Sequence, residues 1–144
     1  MRQSVNCCYV QRAGLHMHNL LMIAVGGALG ALLRFGITEF MARTVGRSFP
    51  YGTLTVNLLG SLLMGCIFVL VQQQVLSHHG WRPFIMVGLL GALTTFSSFS
   101  LDSLLLLEQG AWLKAMLNVS LNVVCCIMLT YIGMQLTTSL IASR

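Results

Sequence analysis

The sequence predicts an all-α integral membrane protein of four transmembrane helices, the third of them broken. Three observations carry this reading. Of the 144 residues, 56% are hydrophobic and only 8% are charged, where an average soluble domain has about 25% charged residues. The apolar residues fall in long blocks, without the alternation of half-buried helices or strands. Each block is close to the roughly 20 residues that a helix needs to cross the hydrocarbon core.

The blocks run from about Leu20 to Ala42, Thr53 to Val71, Phe84 to Leu107 and Ala111 to Leu136. Together they set a membrane domain over residues 20–136. The connections are short and polar. Arg43 to Gly52 holds two arginines and Pro50, Gln72 to Pro83 holds three glutamines and His78-His79, and Glu108-Gln109-Gly110 is barely a turn. Residues 1–19 are mixed in polarity and lack the apolar core of a signal peptide. They are expected to form a disordered tail or an overlong start, with Met17 as an alternative initiator, and residues 137–144 a C-terminal tail. Nothing outside the membrane is large enough for separate chemistry.

In the first span, Gly26 and Gly30 stand four apart, and Gly27 and Ala31 repeat the spacing. Small residues at this interval let helix backbones approach closely, within one subunit or between two. Arg34 lies in the same span, nearer its C-terminal end. A cation costs several kcal/mol at the membrane centre, so Arg34 either snorkels to the surface or supplies positive potential near an anion entrance. Glu39 and Arg43 are spaced to pair at i and i+4.

The second span carries Thr53, Asn57 and Ser61 at four-residue steps, one polar stripe on an apolar helix. An asparagine in lipid would waste its donors and its acceptor, so Asn57 should face protein or water. Its amide is suited either to an anion or to an interhelical hydrogen bond.

The third span reads Gly91-Ala92-Leu93-Thr94-Thr95-Phe96-Ser97-Ser98-Phe99-Ser100. The hydroxyl run favours side-chain-to-backbone bonding over regular helix, and glycine adds backbone freedom. A break is therefore expected near Gly91–Thr95. Broken helices at membrane depth are tolerated only where they are buried in protein or line a cavity. There they expose carbonyls that bind cations and N–H groups that bind anions. Phe96 and Phe99 share a helix face, where they either pack or present ring edges, which are electropositive.

The fourth span carries Asn118, Asn122, Cys126 and Thr130 at the same four-residue step. Two polar stripes among four helices point to a wet path. Asp102 lies near the end of the third span and is expected to be interfacial.

Other signals are bland. The formal net charge of +5 is scattered over both ends, with no basic run, so nucleic acid is not a partner. With four spans, Arg2, Arg12, Arg82 and Arg144 share one side and Arg43, Arg47 and Lys114 the other. A split of four against three gives a weak orientation bias, consistent with insertion both ways. The cysteines lack a C-x-x-C spacing and read as reduced packing thiols. The pairs His16/His18 and His78/His79 lack partners at metal-site spacing. No nucleophile–base pair or phosphate loop marks an enzyme.

Residues 26–34 (Gly-Gly-Ala-Leu-Gly-Ala-Leu-Leu-Arg), 52–61 (Gly-Thr-Leu-Thr-Val-Asn-Leu-Leu-Gly-Ser) and 91–100 together resemble the fluoride channel family known as Fluc or CrcB. The resemblance covers about Leu20 to Leu136. It implies an antiparallel, dual-topology homodimer in the bacterial inner membrane, with fluoride ion and the lipid bilayer as partners. It implies that Asn57 lies at a pore vestibule and that Phe96 and Phe99 line the fluoride path as an aromatic box. Thr95 and Ser97 would add hydroxyls to that path, and Arg34 vestibule potential. Asn118 and Asn122 would lie on the polar track of the fourth span, where the family more often has Ser, Thr or Tyr. Carbonyls of Gly91 and Thr94 from both subunits would hold a structural sodium ion at the dimer interface.

The physics that the resemblance implies is simple. Fluoride is tightly hydrated, so a pore must replace its water with donors weak enough to release it. Hydrofluoric acid enters a cell neutral and dissociates. A passive pore lets the trapped anion leave, driven by ~2.3 kcal/mol per charge per 100 mV of inside-negative potential. The alternative is a small dual-topology multidrug or cation exporter, which would need a membrane-buried carboxylate. Glu39, Asp102 and Glu108 all sit near span ends.

Overall fold

In this computed structural model the backbone is described for residues 2–76 and 81–143, and the side chains for residues 17–76 and 81–143. His78, His79 and the side chains of His16, Cys7 and Cys8 lie outside the described residues.

Four helices are long and apolar enough to cross a membrane: Met17–Thr44, Tyr51–Gln72, Pro83–Glu108 and Trp112–Ala142. The first belongs to α1 (Arg2–Thr44). The helical backbone of α1 includes residues 2–16, which fall within the stretch expected as a disordered tail or an overlong start. The second is α2 (Tyr51–Gln72), entered directly after Pro50. The third is divided into α3 (residues 83–93), which begins as a π-helical stretch at Pro83–Leu90, and α4 (Phe96–Glu108). The fourth is α5 (Trp112–Ala142), which contains a π-helical turn at Leu121–Cys125. It runs six residues beyond the expected end at Leu136, because the hydroxyl residues there are absorbed by the helix. Thr138 Oγ1 donates to the Met134 carbonyl at 2.8 Å, a back-bond that lets a polar residue remain helical.

The turns follow local chemistry. Gly46 (φ 96°) bends the α1–α2 connection. Gly110 (φ 72°) ends α4, with its N–H on the Leu107 carbonyl and the Ala111 N–H on the Leu106 carbonyl, both at 2.9 Å. This is the paired closure that a left-handed C′ glycine provides.

Alternate helices run in the same direction and pack through glycines. A Cβ at Gly26 would meet the Phe84 carbonyl, and one at Gly30 the Leu89 carbonyl, so the Gly26/Gly30 pair seats α1 against α3 of the same chain. Gly27, in the overlapping register, meets nothing within 4 Å. Gly65 faces the Thr130 carbonyl and Gly133 the Leu62 carbonyl, which closes α2 on α5. Val56, Leu90 and Leu93 form the small core, with Ile37, Met64, Ile67 and Ile85 around it. Large apolar residues such as Leu32, Phe35 and Leu113 stay exposed, which suits a lipid surround.

Candidate functional site

The break in the third span is the feature from which the site is built. α3 ends at Leu93, and both Thr94 (φ −78°, ψ 154°) and Thr95 (φ −151°, ψ 114°) are extended. The break falls where the hydroxyl run predicted it. It leaves the last carbonyls of α3, from Gly91 to Thr94, without partners one turn on. Thr95 caps α4, its Oγ1 accepting from the Ser98 N–H at 3.2 Å.

Asn57 of α2 repairs the exposed backbone of Thr95. The Thr95 N–H donates to Asn57 Oδ1 at 2.8 Å, and Asn57 Nδ2 donates to the Thr95 carbonyl at 3.2 Å. The side-chain amide thus pairs with an extended peptide as a neighbouring strand would. Asn57 Nδ2 also donates to Asn122 Oδ1 at 2.8 Å. Asn122 Nδ2 donates to both the carbonyl and the Oδ1 of Asn118, each at 3.0 Å. Asn118 Nδ2 donates to Ser103 Oγ at 2.9 Å, and Ser103 Oγ to the Phe99 carbonyl at 2.8 Å. Thr95, Asn57, Asn122, Asn118, Ser103 and Phe99 therefore form one buried ladder that joins α2, α4 and α5. Asn57, Asn118 and Asn122 are all buried, Asn118 completely. Of the two uses open to Asn57, an anion ligand or an interhelical bond, the structure shows the second.

Beside the ladder opens a cleft of about 400 Å³ at mid-helix depth. Asn57, Thr95, Phe96, Phe99 and Asn122 line it, with Ser61, Cys126 and Thr130 further along α2 and α5. Phe96 and Phe99 have ring centroids 5.3 Å apart at 59°. Phe99 is buried, while Phe96 is 78% exposed and projects from the subunit. Ser97 is exposed beside it, its Oγ 3.3 Å from Thr95 Oγ1. Thr130 Oγ1 donates to the Ser61 carbonyl at 3.2 Å and fastens α5 to α2 along the cleft wall.

A second cleft of about 450 Å³ lies at the end where α2 begins and α4 ends. Thr53, Asp102, Glu39, Arg47 and Lys114 are among its lining residues. Thr53 Oγ1 donates to Asp102 Oδ2 at 2.6 Å, and Lys114 Nζ to the Ser48 carbonyl at 2.9 Å. Glu39 pairs with Arg43 at 3.1 Å, as its spacing predicted, and with Arg47 at 3.8 Å.

Not every expected residue reaches a cleft. Asn118 lines neither of the two; it sits behind Asn122 and braces it. Arg34 is half-buried, lines neither cleft and belongs to neither of the two ion pairs among the described residues. Gly91 is exposed on the face of α3. Ser103 was not anticipated, although its place four residues after Phe99 and eight after Thr95 puts it on the same face of α4. The carboxylates Glu39 and Asp102 line the second cleft, and none of the three carboxylates lines the first. The described residues hold no cluster of His, Cys, Asp or Glu that could bind a metal, so carbonyl and hydroxyl oxygens are the cation donors the break offers.

Comparison with known proteins agrees along the whole membrane domain. A family profile described as CrcB-like protein, Camphor Resistance (CrcB), matches residues 21–134. A protein of Aeromonas salmonicida (strain A449) is 54% identical over 123 residues, covering 85% of this chain and 98% of the relative. One from Pseudoalteromonas translucida (strain TAC 125) is 55% identical over 115 residues, covering 80% and 96%. One from Shewanella baltica (strain OS155 / ATCC BAA-1091) is 53% identical over 123 residues, covering 85% and 98%. All three carry the name fluoride-specific ion channel FluC.

Proposed function

The chain belongs to the CrcB family, and from that premise we propose that it is a fluoride-selective channel giving passive, electrogenic efflux of fluoride. The observation that carries the proposal is the cleft at the break. Asn57, Thr95, Phe96 and Phe99 converge there midway along helices of membrane-spanning length, where a broken helix otherwise has no reason to be tolerated.

The geometry supports weak, exchangeable anion sites. Both Asn57 protons are bonded within the chain, and the longer bond is the one to the Thr95 carbonyl at 3.2 Å. That bond is the cheaper one for an entering anion to displace. The ring edges of Phe96 and Phe99 offer a positive surface without a full charge. A site assembled from such groups can replace hydration and still let the ion go. The second cleft, with Arg47 and Lys114 among its walls, is suited to collect anions at the membrane surface.

The working unit is an antiparallel homodimer in the inner membrane. The exposed Ser97 and Ser100 hydroxyls and the bare backbone at Gly91 suit lipid poorly, Phe96 projects beside them at 78% exposure, and a second copy would cover this face. The carbonyls of Gly91 and Thr94 lack helical partners because of the break. Neutral oxygens of this kind fit a sodium ion shared between two copies. When bound there it would add positive potential close to the anion path.

The test is efflux from liposomes containing the purified protein, followed with fluoride and chloride electrodes with and without a potassium ionophore. Fast electrogenic fluoride efflux, little chloride efflux and loss on Phe96→Ile or Asn57→Asp are expected. Absence of fluoride flux from folded protein sinks the proposal.

A further inference from the structure

The geometry points to Asn122 as a positioning residue that holds the Asn57 amide and is not itself an anion ligand. The inference rests on the channel reading above and refines its fourth-span side.

The argument starts at the break. The extended Thr95 offers an N–H that needs an oxygen and a carbonyl that needs an N–H. Asn57 meets both at once, at 2.8 and 3.2 Å. Rotating its amide by half a turn would set N–H against N–H and oxygen against oxygen. The backbone of Thr95 therefore dictates the direction of Asn57. The proton of Asn57 Nδ2 that remains points at Asn122, which must answer with its oxygen, as it does at 2.8 Å. Both protons of Asn122 are then turned away, onto the carbonyl and Oδ1 of Asn118. Asn118 in turn donates to Ser103, and Ser103 to the Phe99 carbonyl. From Asn57 through Asn122, Asn118 and Ser103 to the Phe99 carbonyl, each donor points the same way.

The polarity has a consequence for an anion. Asn122 lines the cleft, but its nitrogen is spent on Asn118, and its oxygen, which accepts from Asn57, repels fluoride. Its two donors sit behind, against a side chain that lines neither cleft. Asn122 therefore acts through Asn57. It fixes the amide that the anion meets, and the π-helical turn Leu121–Cys125 aims it there, a use of such turns common at functional sites.

The experiment has two arms. In the first, Asn122→Leu, confirmed as folded by gel filtration, is reconstituted in liposomes. Fluoride efflux should fall about tenfold, since a buried donor has lost its partner. Exchange of the Asn57 side-chain amide protons, read by NMR, should speed up by a similar factor, a change that mere loss of packing would not confine to that amide. In the second arm, the unmodified protein with ¹⁵N-labelled asparagine is titrated with fluoride against equal chloride. The Asn122 amide resonances should stay in place. A fluoride-specific shift or a ¹⁹F coupling at Asn122, or wild-type efflux from Asn122→Leu, overturns the inference. If Asn122→Leu does not fold, the second arm decides alone. Unmodified protein without fluoride flux refutes the channel reading and is a separate result.

Discussion

Thr95 is the residue on which most of the site depends. Its backbone is held by Asn57 on both sides, and its hydroxyl does two further tasks. It accepts from the Ser98 N–H at 3.2 Å and stands 3.1 Å from Ser98 Oγ as donor. Loss of an N-cap hydroxyl costs about 1 kcal/mol, and here it would free the Ser98 N–H at the start of α4. Thr95→Ala should lower stability by about that amount, and Thr95→Ser should restore most of it. Thermal unfolding of the purified protein checks both. A different outcome is expected at Thr53, whose hydroxyl donates to Asp102 at 2.6 Å in the second cleft. Thr53→Val keeps the shape but strips a half-buried carboxylate of its donor, a loss of roughly 1–3 kcal/mol. The carboxylate then faces arriving anions with less of its charge satisfied. Fluoride efflux should fall while the break itself, remote from Thr53, stays intact. Unchanged efflux would show that the second cleft does not limit entry.

At the scale of the helices, glycine contacts decide which neighbours meet. A Cβ on Gly30 would run into the Leu89 carbonyl, and one on Gly65 into the Thr130 carbonyl, whereas Gly36 has nothing within 4 Å. Gly30→Ala and Gly65→Ala should each destabilise the subunit by about 1–3 kcal/mol, the usual cost of overpacking. Gly36→Ala should be silent, and denaturation in a graded detergent series separates the three. The same contrast shows what a sequence displays. The Gly26/Gly30 spacing announced a close contact but not whether it lay within or between subunits, because a small-residue repeat carries no address. The break at Thr94–Thr95 was legible, since local hydroxyls compete with the helix ladder wherever the rest of the chain goes. The end of α5 was not, since Thr137, Thr138 and Ser139 read as a polar tail until the back-bond of Thr138 to the Met134 carbonyl is seen. The amide ladder was legible only as two stripes. Asn57 and Asn122 are 65 residues apart, and only packing of α2 beside α5 says that the two stripes face each other. Nor could spacing reveal that Asn118 lies behind Asn122.

The whole molecule raises the question of how many copies work together and which way they face. The described part of the end where α1 meets α2 carries Arg43, Arg47 and Lys114, with Glu39, Asp102 and Glu108 close by. The opposite end carries Arg82, together with Arg2, Arg12 and Arg144 in the sequence. Neither end holds the clear excess of Lys and Arg that fixes orientation. Two added charges should therefore tip a balanced chain one way. Val45→Lys with Glu108→Lys loads one end without touching either cleft wall, and Gln72→Lys with Gln73→Lys loads the other. Each variant should insert in a single orientation, read by a reporter fused at the C-terminus. If the exposed face around Phe96 and Gly91 is covered by an antiparallel copy, each variant expressed alone lacks its partner. Fluoride efflux from cells should then be largely lost with either variant and return when the two are expressed together. The charges themselves cannot explain such a rescue, since both sets are present in the conducting cells. A variant that inserts one way and still conducts fully by itself would show that the two copies need not oppose each other. The face around Phe96 would then need a cover other than an opposed copy, and the proposed sodium site, which draws on Gly91 and Thr94 of two opposed copies, would fall with it.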